Sequence, residues 1–496
     1  MTAPFMTAPL TTVLMRPAPT HRLTRLASNQ QRLRHAVLNQ LIHQLPRIRP
    51  IKQETFKTPL GFLMAAVGFA VGLGNIWRFP YITGENGGAA FVLVYLACVL
   101  IIGLPIVMSE IALGRRGQGD PLQTFGRLAK ASGAAPLWRW VGGLNLLTAF
   151  LIMATYATVA GWVLYYLWSA SSGAFSSIDE IASNTYFETL LASPVVMFMW
   201  MALAMTLTGI IISGGVQKGI ERAVRVLMPL LFLLMLALVV YNAFDPSFWV
   251  GWDYLFQADF SKITPQVFLA AIGQAFFSIG VAMAGLMIFG AYLPPGQSIV
   301  RYGFLIIVAD TAIALLAGLM IFPLVFRYGL DPAGGVGLIF KVLPIAFGQL
   351  PFGALVGGLF FLLLSVAAMT SMVGFVEPLV ATLARLTGMS RLKSTWLMVL
   401  SLILVSLMSI LTYSAWSSLQ IWGRDLNGLI DFISNQLLLP IGGLLIAIFA
   451  GWVLKRDQLA AEVVFPRAWQ FKLWYGLLKY PLPCVILVIL ISGLAT

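Results

Sequence analysis

Charged residues are scarce in this chain of 496 residues: only 10% are Asp, Glu, Lys or Arg, whereas 59% are hydrophobic. Because soluble domains carry roughly a quarter charged residues, this composition excludes a water-soluble globule and indicates one bundle of membrane helices. Cysteine is also rare. Cys98 and Cys484 each lie inside an apolar run, so we expect two buried, inert thiols that form neither a disulfide framework nor the cysteine spacing of a metal site.

Histidine is absent from the hydrophobic part of the chain, since His21, His35 and His43 all lie near the N-terminus. This leaves no imidazole for a Ser-His-Asp triad, a zinc site or a histidine proton relay within the membrane. The phosphate-binding pattern GxxxxGK[ST] is absent too, so the chain encodes no direct use of ATP. We therefore expect a protein that is not an enzyme and whose work is driven by an ion gradient.

The formal net charge of +13 is divided between an N-terminal tail and short loops. Residues 1–53 contain eight Lys and Arg and no acidic residue, which favours anionic lipid rather than nucleic acid as a partner. We assign residues 1–54 to a basic tail, and three interpretations of it stay open. It is an amphipathic segment on the membrane surface, an Arg-rich transit peptide or a disordered leader.

Eleven apolar runs follow the tail, each comparable with the ~20 residues that a helix needs to cross a bilayer. These spans lie near residues 58–83, 88–113, 139–170, 194–213, 222–244, 265–291, 299–327, 351–386, 394–413, 427–454 and 473–495. The loops on one side carry seventeen Lys and Arg and those on the other side carry five, and positively charged loops stay in the cytoplasm. We expect a multi-pass protein of the plasma (inner) membrane, with a cytoplasmic N-terminus and an external C-terminus.

Spans 1 and 6 are interrupted by small residues, at GFAVGLGN (Gly68–Asn75) and GQAFFSIGVAMAGL (Gly273–Leu286). Paired broken helices indicate a transporter site, because unwound backbone offers carbonyls to cations and helix N-termini to anions. Close packing through small residues is the alternative. The run GFAVGLGNIWRFPYITGENGGAAFVLVYL (Gly68–Leu96) closely resembles the signature of the neurotransmitter:sodium symporter family, including its Asn-Ile-Trp-Arg-Phe-Pro run and its Glu-Asn-Gly-Gly turn.

This resemblance extends over about residues 55–495 and implies an all-α integral membrane protein with the leucine-transporter (LeuT) fold. Residues 55–496 would then form one transporter domain, with inverted five-helix repeats at about 58–244 and 265–454 and an extra helix at about 473–495. Helices 1 and 6 would be the broken ones. The resemblance also implies sodium-coupled uptake of an amino acid by alternating access, in a monomer or a loose dimer.

Two bound sodium ions are implied by the resemblance. The first would be held by Ala70, Asn75, Ser278 and Asp310 with the substrate carboxylate, and the second by Gly68, Val71, Ala367, Thr370 and Ser371. Sodium is a hard cation that prefers oxygen ligands, and a broken helix releases carbonyl oxygens that an intact helix bonds internally. For Thr370 and Ser371, the alternative is a hydroxyl that bonds to its own helix.

Asp310 departs from the Asn that much of the family has at this position, and Ala314 replaces a hydroxyl of chloride-dependent members. An aspartate in the middle of a span is costly unless it is protonated or paired with a cation. We therefore expect the negative charge of Asp310 to take the place of chloride, so that transport needs no chloride.

The resemblance also implies a substrate pocket. Its residues are Phe69, Ala70, Gly72, Gly74, Ile152, Tyr156, Phe277, Ser278, Gly280, Ala282, Met283, Ser371 and Phe375. The substrate carboxylate would meet the Gly72–Gly74 backbone, the Tyr156 hydroxyl and sodium. Because no unpaired charge faces the side-chain end, a neutral substrate is expected, and the volume of Phe69 and Phe375 favours a hydrophobic or small aliphatic side chain.

The family's gates are matched only in part. Arg78 and Asp431 correspond to the outer ion pair, with Tyr156 and Phe277 as the lid beneath it. At the inner gate, the family's Arg, Trp and acidic residue correspond to Gln53, Phe56 and Arg385. Either Glu54 and Arg385 form a charge-swapped pair, or both side chains are solvated.

Two other functions stay open at this point. One is proton-coupled amino acid transport, with the proton carried by Asp310, Glu110 or Glu377. The other is an amino acid sensor of the same fold that binds without transporting.

Overall fold

The computed structural model describes residues 54–333, 335 and 337–495, so the predicted tail lies outside the described residues except for Glu54. Within these ranges, nine helices are long and apolar enough to cross a membrane. They are helix 2 (Ala89–Gly117), helix 3 (Pro136–Ser171), helix 4 (Pro194–Ser213), helix 5 (Val216–Ala243), helix 7 (Ile299–Arg327), helix 8 (Gly353–Thr387), helix 9 (Arg391–Thr412), helix 10 (Leu426–Val453) and helix 11 (Ala468–Leu494). Shorter helices at Pro121–Ser132, Glu180–Leu191, Ser247–Phe256 and Arg456–Glu462 lie between them.

Helix 1 consists of two pieces, helix 1a (Pro59–Ala70) and helix 1b (Gly74–Glu85), with a bend of 47° between them. Helix 1a begins where Thr58 accepts a hydrogen bond from the backbone N–H of Gly61 and Pro59 takes the first position. It ends at Ala70 because the backbone of the next residue is extended. The predicted break in span 1 is therefore confirmed.

Helix 6 is also broken, into helix 6a (Pro265–Ile279) and helix 6b (Gly285–Ala291). Between them, Gly280, Ala282 and Ala284 have positive φ angles of 71°, 61° and 65°. Alanine adopts this left-handed conformation only at a cost, so the surroundings must hold it. Glu110 of helix 2 does so, since one carboxylate oxygen accepts a hydrogen bond of 2.5 Å from the backbone N–H of Ala282.

The two breaks face the long helices of the bundle. Helix 8 packs along helices 1a and 3, and helix 7 packs against both pieces of helix 1. Helix 11 buries little of its surface, which explains one error of the sequence analysis. Cys98 is buried as expected, but Cys484 on helix 11 is exposed; both are free thiols.

Candidate functional site

Asp310, in helix 7, is fully buried in the centre of an oxygen-rich cluster. Its Oδ1 accepts a hydrogen bond of 2.7 Å from Asn75 Nδ2, and its Oδ2 accepts one of 2.9 Å from Ser278 Oγ. In the part of the chain that the structure describes, no Lys or Arg forms an ion pair with it. Three residues predicted for the first sodium site thus lie together, and the fourth, Ala70, is the last residue of helix 1a.

Two residues of this region were missed by the sequence analysis. The Tyr95 hydroxyl donates a hydrogen bond of 3.4 Å to Asp310 Oδ2, and it lies 3.4 Å from Ser278 Oγ. Gln274 Nε2 donates a hydrogen bond of 2.9 Å to the carbonyl of Gly74, which ties helix 6a to the break in helix 1. A buried glutamine in an apolar run is a signal that could have identified Gln274, whereas nothing distinguishes Tyr95 from the other aromatic residues.

A second oxygen cluster surrounds Ser371 of helix 8. Ser371 Oγ lies 3.3 Å, 3.1 Å and 3.3 Å from the carbonyl oxygens of Gly68, Phe69 and Val71. Helix 8 is therefore joined to the break in helix 1 through one hydroxyl that faces three carbonyls. Two of these carbonyls, those of Gly68 and Val71, are the ones predicted for the second sodium site.

Thr370 makes different contacts from its neighbour. Its hydroxyl donates to the carbonyls of Val366 and Ala367, at 3.1 Å and 3.0 Å, so it bonds to its own helix. A Cβ atom placed on Gly68 would lie 3.1 Å from Thr370 Cβ, so the threonine adjoins helix 1a. Bonding within the helix, the alternative considered for both hydroxyls, therefore describes Thr370 and not Ser371.

The chemistry of both clusters suits a hard cation. Their donors are carboxylate, hydroxyl, amide and carbonyl oxygens, which sodium-like cations prefer over nitrogen and sulfur. Across the described ranges there is no group of three or more His, Cys, Asp or Glu side chains of the kind that holds a metal ion. The residues thus fit a hard cation bound by oxygen ligands.

Two glycines at the break in helix 1 lie close to side chains of other helices. A Cβ atom on Gly72 would overlap Ser371 Oγ and lie 3.0 Å from the Tyr156 hydroxyl, and one on Gly74 would lie 3.1 Å from the Phe277 ring. The Tyr156 hydroxyl itself accepts a hydrogen bond of 3.3 Å from the backbone N–H of Leu73. The Tyr156 hydroxyl and this backbone, both assigned by the sequence analysis to the polar end of the substrate pocket, are thus adjacent.

The other predicted pocket residues lie on the two sides of this backbone. Gly280, Ala282 and Met283 are buried in the break of helix 6, and the Phe375 ring of helix 8 lies 5.7 Å from the Tyr156 ring. A cavity of about 440 Å³ adjoins this region. Its walls include Leu73, Ile152, Thr155, Tyr156, Val159, Phe277, Arg78 and Asp431.

The predicted outer gate lines this cavity without closing it. Arg78 forms no ion pair with Asp431 within the described residues; its guanidinium lies over the Phe277 ring, 4.5 Å from the centroid. Asp431 is exposed and accepts a hydrogen bond of 2.6 Å from Asn435 Nδ2. The arrangement places the lid residue Phe277 directly beside the predicted gate arginine.

The inner pair suggested by the sequence, Glu54 with Arg385, is not formed in this structure. Arg385 instead makes a two-point ion pair with Asp120, the buried N-cap of the short helix after helix 2. Glu54 forms an ion pair with Arg391, with 3.4 Å between Glu54 Oε2 and Arg391 Nη1. Arg391 also pairs with the buried Glu377, with 2.5 Å between Arg391 Nη2 and Glu377 Oε2. Each residue of the predicted pair therefore has another partner: Arg385 pairs with Asp120, and Glu54 pairs with Arg391.

Helix count, the two broken helices and the buried oxygen clusters together define a multi-pass membrane transporter, and comparison with a solved structure gives the fold. The structure of MhsT in complex with L-phenylalanine superimposes with a TM-score of 0.81 at 39% sequence identity, covering 89% of this chain and 99% of that chain. This chain therefore has the LeuT fold.

Sequence relatives agree with this assignment. A family profile described as the sodium:neurotransmitter symporter family matches residues 53–177 and 191–496. An uncharacterised sodium-dependent transporter of Bacillus subtilis, YhdH, is 34% identical over 445 residues, which cover 89% of this chain and 98% of the relative. One of Haemophilus influenzae is 35% identical over 451 residues, with the same two coverages. The chain belongs to the sodium:neurotransmitter symporter family.

Proposed function

We propose that the protein is a sodium-coupled symporter that imports a neutral amino acid, with a hydrophobic or small aliphatic side chain, by alternating access. The observation that carries this proposal is the fully buried carboxylate of Asp310, which accepts hydrogen bonds from Asn75 and Ser278. Among the described residues, no Lys or Arg forms an ion pair with it. A buried charge of this kind is costly unless a cation neutralises it. Sodium would do so when it binds among these oxygens.

The proposed first sodium site consists of Ala70, Asn75, Ser278 and Asp310, with the substrate carboxylate as a further ligand. Asn75 now turns its Nδ2 towards Asp310, so the amide would have to present its oxygen when a cation enters. The proposed second site consists of Gly68, Val71, Ala367, Thr370 and Ser371. Two sodium ions moving with a zwitterion would carry two net charges, worth about 4.6 kcal/mol at about 100 mV.

The proposed substrate binds with its carboxylate at the Gly72–Gly74 backbone, the Tyr156 hydroxyl and the first sodium ion. No chloride is needed in this proposal, because Asp310 supplies a negative charge inside the cluster and Ala314, four residues further along helix 7, offers no hydroxyl. Arg78 and Asp431 would pair when the cavity beside Phe277 closes over bound substrate. The pair would then separate the site from the outer solution.

For the membrane arrangement we propose the plasma (inner) membrane, with a cytoplasmic N-terminus and an external C-terminus, in accordance with the loop charges. The protein would be a monomer or a loose dimer, with one transporter domain after a basic tail that contacts anionic lipid. The difference between seventeen and five loop Lys and Arg supports this orientation.

The decisive experiment measures amino acid uptake by the purified protein in proteoliposomes. All twenty amino acids compete for uptake under an inward sodium gradient, with choline replacing sodium and gluconate replacing chloride in parallel. We expect uptake of neutral amino acids that is lost in choline and unchanged in gluconate. Uptake that persists in choline under a proton gradient would indicate proton coupling, and sodium-dependent binding without accumulation would indicate a sensor.

A further inference from the structure

The side chain of Phe69 is enclosed by glycines from two other helices. Gly280 and Gly285 flank the break in helix 6, and a Cβ atom on either would lie 2.7 Å or 2.5 Å from the Phe69 ring. A Cβ atom on Gly374 of helix 8 would overlap the ring. Phe69 is itself only 2% exposed, so the three glycines leave a space that this one ring fills.

This space adjoins the proposed substrate site. The centroid of the Phe69 ring lies 5.2 Å from that of the Phe375 ring, and the Phe375 centroid lies 5.7 Å from that of the Tyr156 ring. The Phe69 carbonyl is also 3.1 Å from Ser371 Oγ. The ring therefore occupies the region between the break in helix 6 and helix 8, which are the two elements expected to surround the substrate side chain.

We infer that Phe69 limits the size of the substrate, because its ring fills the volume into which an aromatic side chain of the substrate would extend. The protein then accepts neutral amino acids with short aliphatic side chains, of about alanine to valine size, and rejects phenylalanine and tryptophan. This inference rests on the proposed function and adds the residue that sets its substrate range. MhsT, which has the same fold, was solved with L-phenylalanine bound, so the fold itself is compatible with an aromatic ligand.

The physical basis is the behaviour of apolar cavities. Removal of the Phe69 ring would leave an apolar space bounded by glycine backbone, Phe289 and Phe375, at centroid distances of 6.3 Å and 5.2 Å from the present ring. Apolar cavities of this kind stay dry and bind aromatic molecules. Steric selection by a hydrophobic pocket changes specificity by roughly 10-fold to 200-fold per methylene, so exclusion of a whole ring should reach at least the upper part of that range.

The test is the ratio of the inhibitory concentrations of phenylalanine and alanine against sodium-dependent uptake. In the wild type we expect a ratio above roughly 100, and in Phe69→Ala a ratio lowered at least about 30-fold because phenylalanine binds more tightly. Phe62→Ala is the matched control: it deletes the same ring from a fully buried position of helix 1a, where the nearest ring centroids are those of Phe56 at 6.0 Å and Tyr302 at 5.6 Å. Its ratio should stay within about threefold of the wild type.

Three outcomes would overturn the inference. They are wild-type protein that takes up phenylalanine as well as alanine, a Phe69→Ala ratio equal to the wild-type ratio, and an equal fall of the ratio in the control Phe62→Ala. If Phe69→Ala does not fold, Phe69→Leu replaces it, and its melting temperature is measured with and without each amino acid. If no amino acid larger than valine raises the melting temperature of Phe69→Leu, the inference is again overturned. Failure of the proposed function is distinguishable, since the wild type would then show no sodium-dependent uptake of any amino acid.

Discussion

The two oxygen clusters beside the break in helix 1 are built differently. The first surrounds a buried carboxylate, Asp310, with donors from Asn75, Ser278 and Tyr95. The second contains no charged side chain; it consists of the Ser371 hydroxyl and the carbonyls of helix 1a and its end. The first cluster would therefore stabilise a bound cation mainly through the charge of Asp310. The second cluster would do so through the position of its carbonyl and hydroxyl dipoles.

This difference determines how each cluster should respond to substitution. A formal charge acts over several ångströms, so the first cluster should tolerate small displacements but not neutralisation. Carbonyl and hydroxyl dipoles act at contact distance, so cation binding in the second cluster should be sensitive to a shift of the backbone.

Neutralisation of Asp310 should have the largest effect. In Asp310→Asn the shape is retained but the charge is lost, and removal of one partner of a buried charge pair costs about 3–5 kcal/mol. The sodium concentration for half-maximal substrate binding should therefore rise about 100-fold or more, as measured by titration of sodium against a radiolabelled amino acid. The control is Asp253→Asn, the same change at an exposed helix position. Its sodium concentration for half-maximal binding should stay within about twofold of the wild-type value.

A wild-type sodium affinity in Asp310→Asn would mean that the carboxylate is not a ligand of the cation, and the contrast between the clusters would fail. A second result would also count against it. If uptake by the wild type increased with chloride, the charge of Asp310 could not be the substitute for an anion.

A displaced backbone should have the next largest effect, through the second cluster. The variant Gly72→Ala would place a Cβ atom in overlap with Ser371 Oγ and 3.0 Å from the Tyr156 hydroxyl. Overpacking of this kind costs typically about 1–3 kcal/mol, so sodium-dependent binding should weaken roughly 10-fold to 100-fold. Sodium titration of substrate binding is again the measurement.

The matched control is Gly273→Ala in helix 6a, where a Cβ atom would have no heavy atom within 4 Å. Because alanine is the better helix former, this variant should bind normally and be slightly more stable to heat. Equal losses in both variants would show that any glycine substitution disturbs the bundle, and the specific role of the Gly72 backbone would be rejected.

The broken helices beside this site were predictable from the sequence because their signals are local. Breaks in helices 1 and 6 follow from runs of small residues, and the buried Asp310 stands out in an apolar span. Partners across long separations were not predictable in this way. The Arg385–Asp120 pair joins residues 265 positions apart, and the charge of Arg385 gives no indication which of several acidic loop residues lies nearest.

The packing around Phe69 was predicted only in part. The volume of this side chain was apparent from its type, but the three glycines around it belong to helices 6 and 8, which only the folded structure brings together. Tyr95 and the exposed Cys484 were missed for the same reason, since the orientation of a residue on an apolar helix depends on its neighbours in three dimensions.

The smallest effect should come from the Thr370 hydroxyl, and it decides whether the second cluster includes this residue. The hydroxyl now donates to its own helix, at 3.1 Å and 3.0 Å, yet it adjoins Gly68 and is predicted to be a sodium ligand. Thr370→Val keeps the branched shape and removes only the hydroxyl. If this oxygen contacts sodium, half-saturation should require about two to ten times more sodium, as expected for one lost polar contact.

Thr382→Val provides the control for this comparison, because Thr382 lies on the same helix, is also buried and donates to the carbonyl of Pro378 at 2.7 Å. That hydroxyl bonds only within helix 8 and lies about three turns from Thr370, so its loss should leave the sodium titration unchanged. A similar titration curve for both valine variants would assign the Thr370 hydroxyl to helix bonding alone. The second cluster would then consist of Ser371 and backbone carbonyls, and the contrast with the charged cluster would become sharper.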